Sequence, residues 1–117
     1  MRIDITPVSK PRQTRADVWK QRPAVMRYRA FADELRLKYR KDLPDSISLT
    51  FYIPMPKSWS KKKRSEMAGE PHRQRPDVDN VVKAVMDALS EEDCTVWRVC
   101  ASKYWAEEGA IEIEEYR

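Results

Sequence analysis

At 117 residues the chain has room for one domain with a modest core, and self-association would add to its buried area. Charged residues are 36% of the total and glycines number only 2, which excludes a flexible low-complexity chain; no run approaches the ~18 apolar residues of a membrane span. The net charge of +4 is mild and fits a solvated surface as well as a polyanion partner, so its distribution matters more than its size.

The N-terminus, Met1-Arg2-Ile3-Asp4-Ile5-Thr6, lacks the apolar stretch of a secretory signal. Its alternation predicts a short strand over Arg2–Thr6, which Pro7 stops. A basic, turn-rich loop follows to Gln21, carrying Lys10, Arg12 and Arg15 as weaker phosphate-contact candidates. Pro23 suits the first turn of a helix, and Tyr28, Phe31, Ala32, Leu35 and Tyr39 recur at helical spacing. That helix should end before Pro44. Ser46–Ile53 alternates strictly, with Ile47, Leu49, Phe51 and Ile53 on one face, and predicts a half-buried strand.

Between Lys57 and Pro76 the chain is polar, with seven basic and two acidic residues, an excess above that of the whole chain. The positive field is therefore concentrated there. A second helix is expected from about Asp79 to Leu89, with Val78, Val81, Val82, Val85, Ala88 and Leu89 as its apolar stripe. After an acidic turn, Thr95–Trp105 reads as a strand, Gly109 as a turn, and Ala110–Glu114 as a final strand. The order β-α-β-α-β-β implies an α/β (α+β) domain, a mixed sheet with two helices packed on it, spanning residues 1–117. Cys94 and Cys100 form no C-x-x-C motif and read as free thiols of a soluble, cytoplasmic protein.

Pro76-Asp77-Val78-Asp79-Asn80 carries the most chemistry. In an extended approach Asp77 and Asp79 point to the same side, and Asp79 can also cap the second helix. Lys83 follows Asp79 by one helical turn and Asp87 follows by another, a polar line facing away from the valines. Two readings are open on the residues alone. One is a helix cap with an i,i+4 Asp–Lys pair. The other is a divalent metal site, since hard cations take carboxylate oxygens, and a third acid would come from Glu91-Glu92-Asp93.

The run Arg75-Pro76-Asp77-Val78-Asp79-Asn80-Val81-Val82-Lys83-Ala84-Val85-Met86-Asp87-Ala88-Leu89 is similar, in residue type and spacing, to a run in the RusA family of Holliday junction resolvases. The resemblance extends upstream through Phe51–Ser60 and downstream through Glu92–Val96 and Lys103-Tyr104-Trp105, so Ser46–Tyr116 is covered well and the N-terminal third loosely. It implies that Asp77 and Asp79 resemble the first two metal-binding aspartates, and that Lys83 resembles the catalytic lysine. Asp93 takes the place of the third aspartate, with Glu92 its neighbour. The turn Ser90-Glu91 is shorter than in many members, and Thr95 stands where the family favours Gln, so Glu91 and Glu92 remain open as third ligand.

The resemblance further implies Mg²⁺ as cofactor, with Mn²⁺ as a substitute, and a homodimer that nicks branched DNA, the four-way Holliday junction, symmetrically in recombination and repair. It also implies a bacterial, phage- or prophage-encoded origin. Two rival readings are a non-catalytic junction-binding protein that kept the fold, and a metal nuclease for other branched DNA or RNA. DNA-contact candidates are Lys57, Lys61, Lys62, Lys63, Arg64, Arg73 and Arg75, with His72 in the same basic stretch. Trp59 reads either as a base-stacking wedge or as packing beneath its loop, whereas Trp97 and Trp105 read as core or dimer contacts. Trp19 has no assigned place.

Overall fold

A computed structural model of the chain describes residues 1–11, 23–90 and 95–116. The elements are strand β1 (Arg2–Ile3), helix α1 (Pro23–Lys38), strand β2 (Ser46–Pro54), helix α2 (Lys61–Met67), helix α3 (Val78–Leu89), strand β3 (Arg98–Ala106) and strand β4 (Ala110–Glu115). The sheet order is β1-β4-β2-β3. β2 runs parallel to β3 and antiparallel to β4, and β1 pairs antiparallel with β4, giving the mixed sheet expected.

β2 forms because its alternation matches the strand period. Ile47, Leu49, Phe51 and Ile53 are all buried, and each residue from Ser46 to Pro54 pairs in register with one from Arg98 to Ala106. Phe31, Ala32 and Leu35 of α1 and Val81, Ala84, Val85 and Ala88 of α3 share one core with that face. Both helices therefore lie on one side of the sheet. They are also joined directly, through Arg36 Nε donating to the carbonyl of Ala88 at 2.7 Å. The opposite side of the sheet is half-open, where Tyr52 packs by Tyr104 and donates to Glu112 at 3.2 Å.

Strand β1 ends at Ile3, short of the Thr6 expected, because its pairing with β4 covers only Arg2 and Ile3. Three further expectations change. First, the polar stretch contains a helix, α2. Lys61–Met67 holds no Gly, Pro or β-branched residue, and the Ser60 hydroxyl caps it by accepting from Lys63 N–H. It buries none of its residues fully, so no apolar period announced it. Second, β3 begins at Arg98, leaving Trp97 outside the strand and 67% exposed rather than in the core. Trp105 is buried as expected. Third, the buried stripe of α3 is Val81, Ala84, Val85 and Ala88, and Val78 faces outward at 40% exposure. The β3–β4 turn contains Gly109 beside Thr6, where a Cβ would stand 2.7 Å from the Thr6 Cα, so a side chain has no room. Cys100 is an exposed free thiol, and Cys94, Arg12, Arg15 and Trp19 lie outside the described residues.

Candidate metal and nucleic-acid site

α3 starts at Val78 because Asp77 is its N-cap, with extended φ and ψ of −67° and 150°. The Asp77 carbonyl accepts from Asn80 and Val81 N–H at 3.1 and 3.2 Å, which fixes the backbone of this residue to the first helical turn. Asp79, which the sequence also allows as a cap, lies inside that turn. The Asp77 side chain makes no capping hydrogen bond. A capping Asp ordinarily spends its carboxylate on the orphan N–H groups of the first turn. Here that carboxylate is exposed and makes no such bond.

Asp77 and Asp79 line one cavity of about 520 Å³ with Arg73, Gln74, Arg75, Val78 and Lys103. Two acids are thus framed by three cations from the 73–75 stretch and the edge strand. Lys83 is exposed one turn beyond Asp79 and does not line this cavity. It lines an adjoining groove of about 460 Å³ with Asp79, Asp87, Val78, Val82, Met86, Val99 and Ala101. Asp79 belongs to both spaces and links them. Asp87, the end of the polar line, is ion-paired with Lys10, so Lys10 ties the first loop to α3.

Lys103 is the residue that reading the sequence did not assign. Its ammonium donates to the carbonyl of Gln74 at 2.9 Å and to that of Pro76, the residue before Asp77. Burial lowers its pKa from the ordinary lysine value, and the nearby Asp77 carboxylate opposes that shift. The available signal was its position. It is the one acid or base inside an otherwise uncharged stretch, Val99–Ala106.

The other basic and aromatic candidates divide. Arg73 and Arg75 are exposed at the cavity, and Lys57, Lys61 and Lys62 are exposed nearby in sequence. Lys63 lies over the Trp59 ring at 4.3 Å. Arg64 is half-buried and engaged, donating to the Pro56 carbonyl at 2.9 Å and pairing with Glu107 at 3.1 Å, so it braces α2. Trp59 packs on Trp105 at 4.8 Å, which favours packing beneath its loop over an exposed wedge. His72, expected among the DNA contacts, is instead a core residue: it is 5% exposed, and its ring packs at a 60° tilt against Trp105 with centroids 4.3 Å apart. Burial lowers its pKa from the ordinary histidine value, and the Lys103 ammonium lowers it further. Its Nδ1 is buried without a hydrogen-bond partner.

Among the described residues, no three acids, histidines or cysteines come together as a metal cluster. Glu91, Glu92 and Asp93, the expected sources of a third ligand, lie outside the described residues. The pair that is described fits a hard divalent cation. It offers two oxygen donors, one of them released from its capping role, in a cavity open to water.

An acid pair rimmed by cations, on a two-layer α/β frame, has the chemistry to engage a phosphodiester. The comparisons specify the class. Residues 4–115 match the family described as Endodeoxyribonuclease RusA, and the chain belongs to that family, whose members hydrolyse DNA phosphodiester bonds. Over 78 residues the chain is 38% identical to Uncharacterized protein YqaN of Bacillus subtilis (strain 168), a match covering 60% of this chain and 55% of the relative. The chain thus spans about half the length of the curated relative it matches. No solved structure matches it.

Proposed function

We propose that this chain is a Mg²⁺-dependent endonuclease that cuts four-way DNA junctions by paired, symmetric nicks, acting as a homodimer. The carrying observation is the Asp77 carboxylate, freed from capping and sharing one cavity with Asp79 among Arg73, Arg75 and Lys103. Asp77 and Asp79 would hold the cation, with Asp93 or its neighbour Glu92 as the expected third acid. Bound there, Mg²⁺ supplies positive charge against the phosphate and acidifies water, and Mn²⁺ has the same donor preference.

The remaining work falls to side chains. Arg73 and Arg75 bring a polyanion to a site that its acids alone would repel. Lys83, one turn along α3 from Asp79 in the adjoining groove, would offset charge that develops on the leaving oxygen. Lys57, Lys61, Lys62 and Lys63 extend the positive surface along a DNA arm. No helix among the described residues is long and apolar enough to cross a membrane.

Cleavage of a synthetic four-way junction with and without Mg²⁺, by wild type and Asp77→Asn, tests this. Wild type should cut only with metal, and Asp77→Asn should bind the junction without cutting it. Cutting by Asp77→Asn at the wild-type rate would sink the assignment. A parallel panel of flap, duplex and RNA substrates separates a junction resolvase from a nuclease for other branched nucleic acids. Metal-independent binding with no cleavage of any substrate would mark a non-catalytic junction-binding protein.

A further inference from the structure

We infer that Lys103 is a positioning residue for Asp77, setting the carboxylate pair by holding the chain that leads into it. This rests on the reading of Asp77 and Asp79 as the metal-holding pair.

The stretch from α2 to Asp77 is laced to the outer edge of β3. Gly69 N–H donates to the Trp105 carbonyl at 2.9 Å, and Trp105 N–H donates to the Glu70 carbonyl at 2.9 Å. His72 N–H then donates to the Lys103 carbonyl at 3.0 Å. Beyond His72 the backbone leaves the strand edge. From there the Lys103 side chain takes over, and its Nζ donates to the carbonyls of Gln74 and Pro76. Among the described residues it is the donor that these two carbonyls have. One residue thus grips the same stretch twice, by backbone at 72 and by side chain at 74 and 76.

Asp77 is held from its other side by α3, through Asn80 and Val81 N–H. It therefore sits between two anchors, the helix and the lysine. Lys103 forms no salt bridge with Asp77: two of its three ammonium protons go to carbonyls, and the Asp77 carboxylate acts on it only as a nearby charge. The carboxylate keeps its charge available for a cation. A lysine paired directly with Asp77 would instead compete with that cation. The arrangement is that of a group which orients a ligand through its backbone without neutralising it.

The test compares Lys103→Met and Lys103→Arg with wild type. Mn²⁺ binding to the DNA-free protein is measured by calorimetry, and junction affinity is measured in Ca²⁺. Steady-state cleavage follows in Mg²⁺, and circular dichroism checks folding. Removing a residue that orients a metal ligand lowers metal affinity and kcat by about ten- to hundredfold, which is the result expected for Lys103→Met. Its junction affinity and KM should stay within about threefold of wild type, since ground-state DNA binding is untouched. Lys103→Arg, whose guanidinium can donate to both carbonyls, should recover most of the loss.

Wild-type Mn²⁺ affinity and kcat in Lys103→Met overturn the inference. So does a loss of junction affinity alone, which would make Lys103 a phosphate contact. So does an arginine variant as impaired as the methionine variant. If Lys103→Met does not fold, Lys103→Gln replaces it, with one amide donor for two carbonyls and an expected intermediate loss. A wild type that neither binds Mn²⁺ nor cuts overturns the nuclease reading itself. A wild type that does both, beside an unimpaired Lys103→Met, overturns this inference alone.

Discussion

β2 and β3 have the same length and pair residue for residue, from Ser46 with Arg98 to Pro54 with Ala106. They serve different ends. β2 lies between two strands and buries every second side chain beneath α1 and α3. β3 lies at the sheet edge, and only Trp105 within it is fully buried. A central strand has both edges and one face committed to the core, so its sequence answers to packing. An edge strand has one edge to spare. β3 uses that edge and a lysine to hold the segment carrying the acid pair. Fold and site are thus divided between two adjacent strands.

Variants can break this division in order of effect. Asp77→Asn should abolish Mg²⁺-dependent junction cleavage while the thermal melt stays at the wild-type value. A lowered melting temperature would show that Asp77 also serves the fold. Phe51→Ala in β2 should cost about 3–5 kcal/mol in urea unfolding, the range for a buried aromatic in a well-packed core. Cys100→Ala on the exposed part of β3 should stay within about 0.5 kcal/mol. Equal losses from the two strands would refute the contrast.

Smaller effects sharpen it. Lys61→Ala with Lys62→Ala should weaken junction binding and reduce its salt slope by about one for each phosphate no longer neutralised, read from binding titrations across salt concentrations. Arg64→Ala should lower the melting temperature while leaving that slope nearly unchanged, because its guanidinium is committed to Pro56 and Glu107.

The smallest effect is a pH dependence. In the folded chain His72 titrates below 6.5, first because it is buried and then because of Lys103. As pH falls, the unfolded chain takes up this proton before the folded chain does. Stability should therefore decline as pH drops through about 6.5, and level off once the folded ring is protonated too. Thermal melts of wild type and His72→Phe across this range check the sign, and the variant should lose that component.

Much of this was legible in the residues. Ser46–Ile53 announced β2 to within one residue because its alternation is strict and one face is buried. The helix with the acid pair was legible for a similar reason, since Val81, Val85 and Ala88 keep a helical period. What escaped depends on tertiary contacts. α2 buries nothing fully, so no periodicity marks it. His72 looks like one more polar residue in a basic stretch, and only the Trp105 ring against it makes it a core residue. The role of Lys103 depends on hydrogen bonds to residues 27 and 29 positions away, which no local pattern encodes. Trp97 looked like part of a strand that in fact begins one residue later.

Three tryptophans among the described residues end up in unlike surroundings, and this makes the molecule its own optical probe. Trp105 is enclosed and touches both His72 and Trp59. Trp59 is half-covered and capped by the Lys63 ammonium, whereas Trp97 stands in solvent beside Arg98. Emission from Trp97 should lie to the red and be quenched readily by iodide, while that of Trp105 should be shielded. A DNA phosphate that draws Lys63 off the Trp59 ring would change the signal at Trp59 and at the Trp105 ring in contact with it, and leave Trp97 as an internal standard.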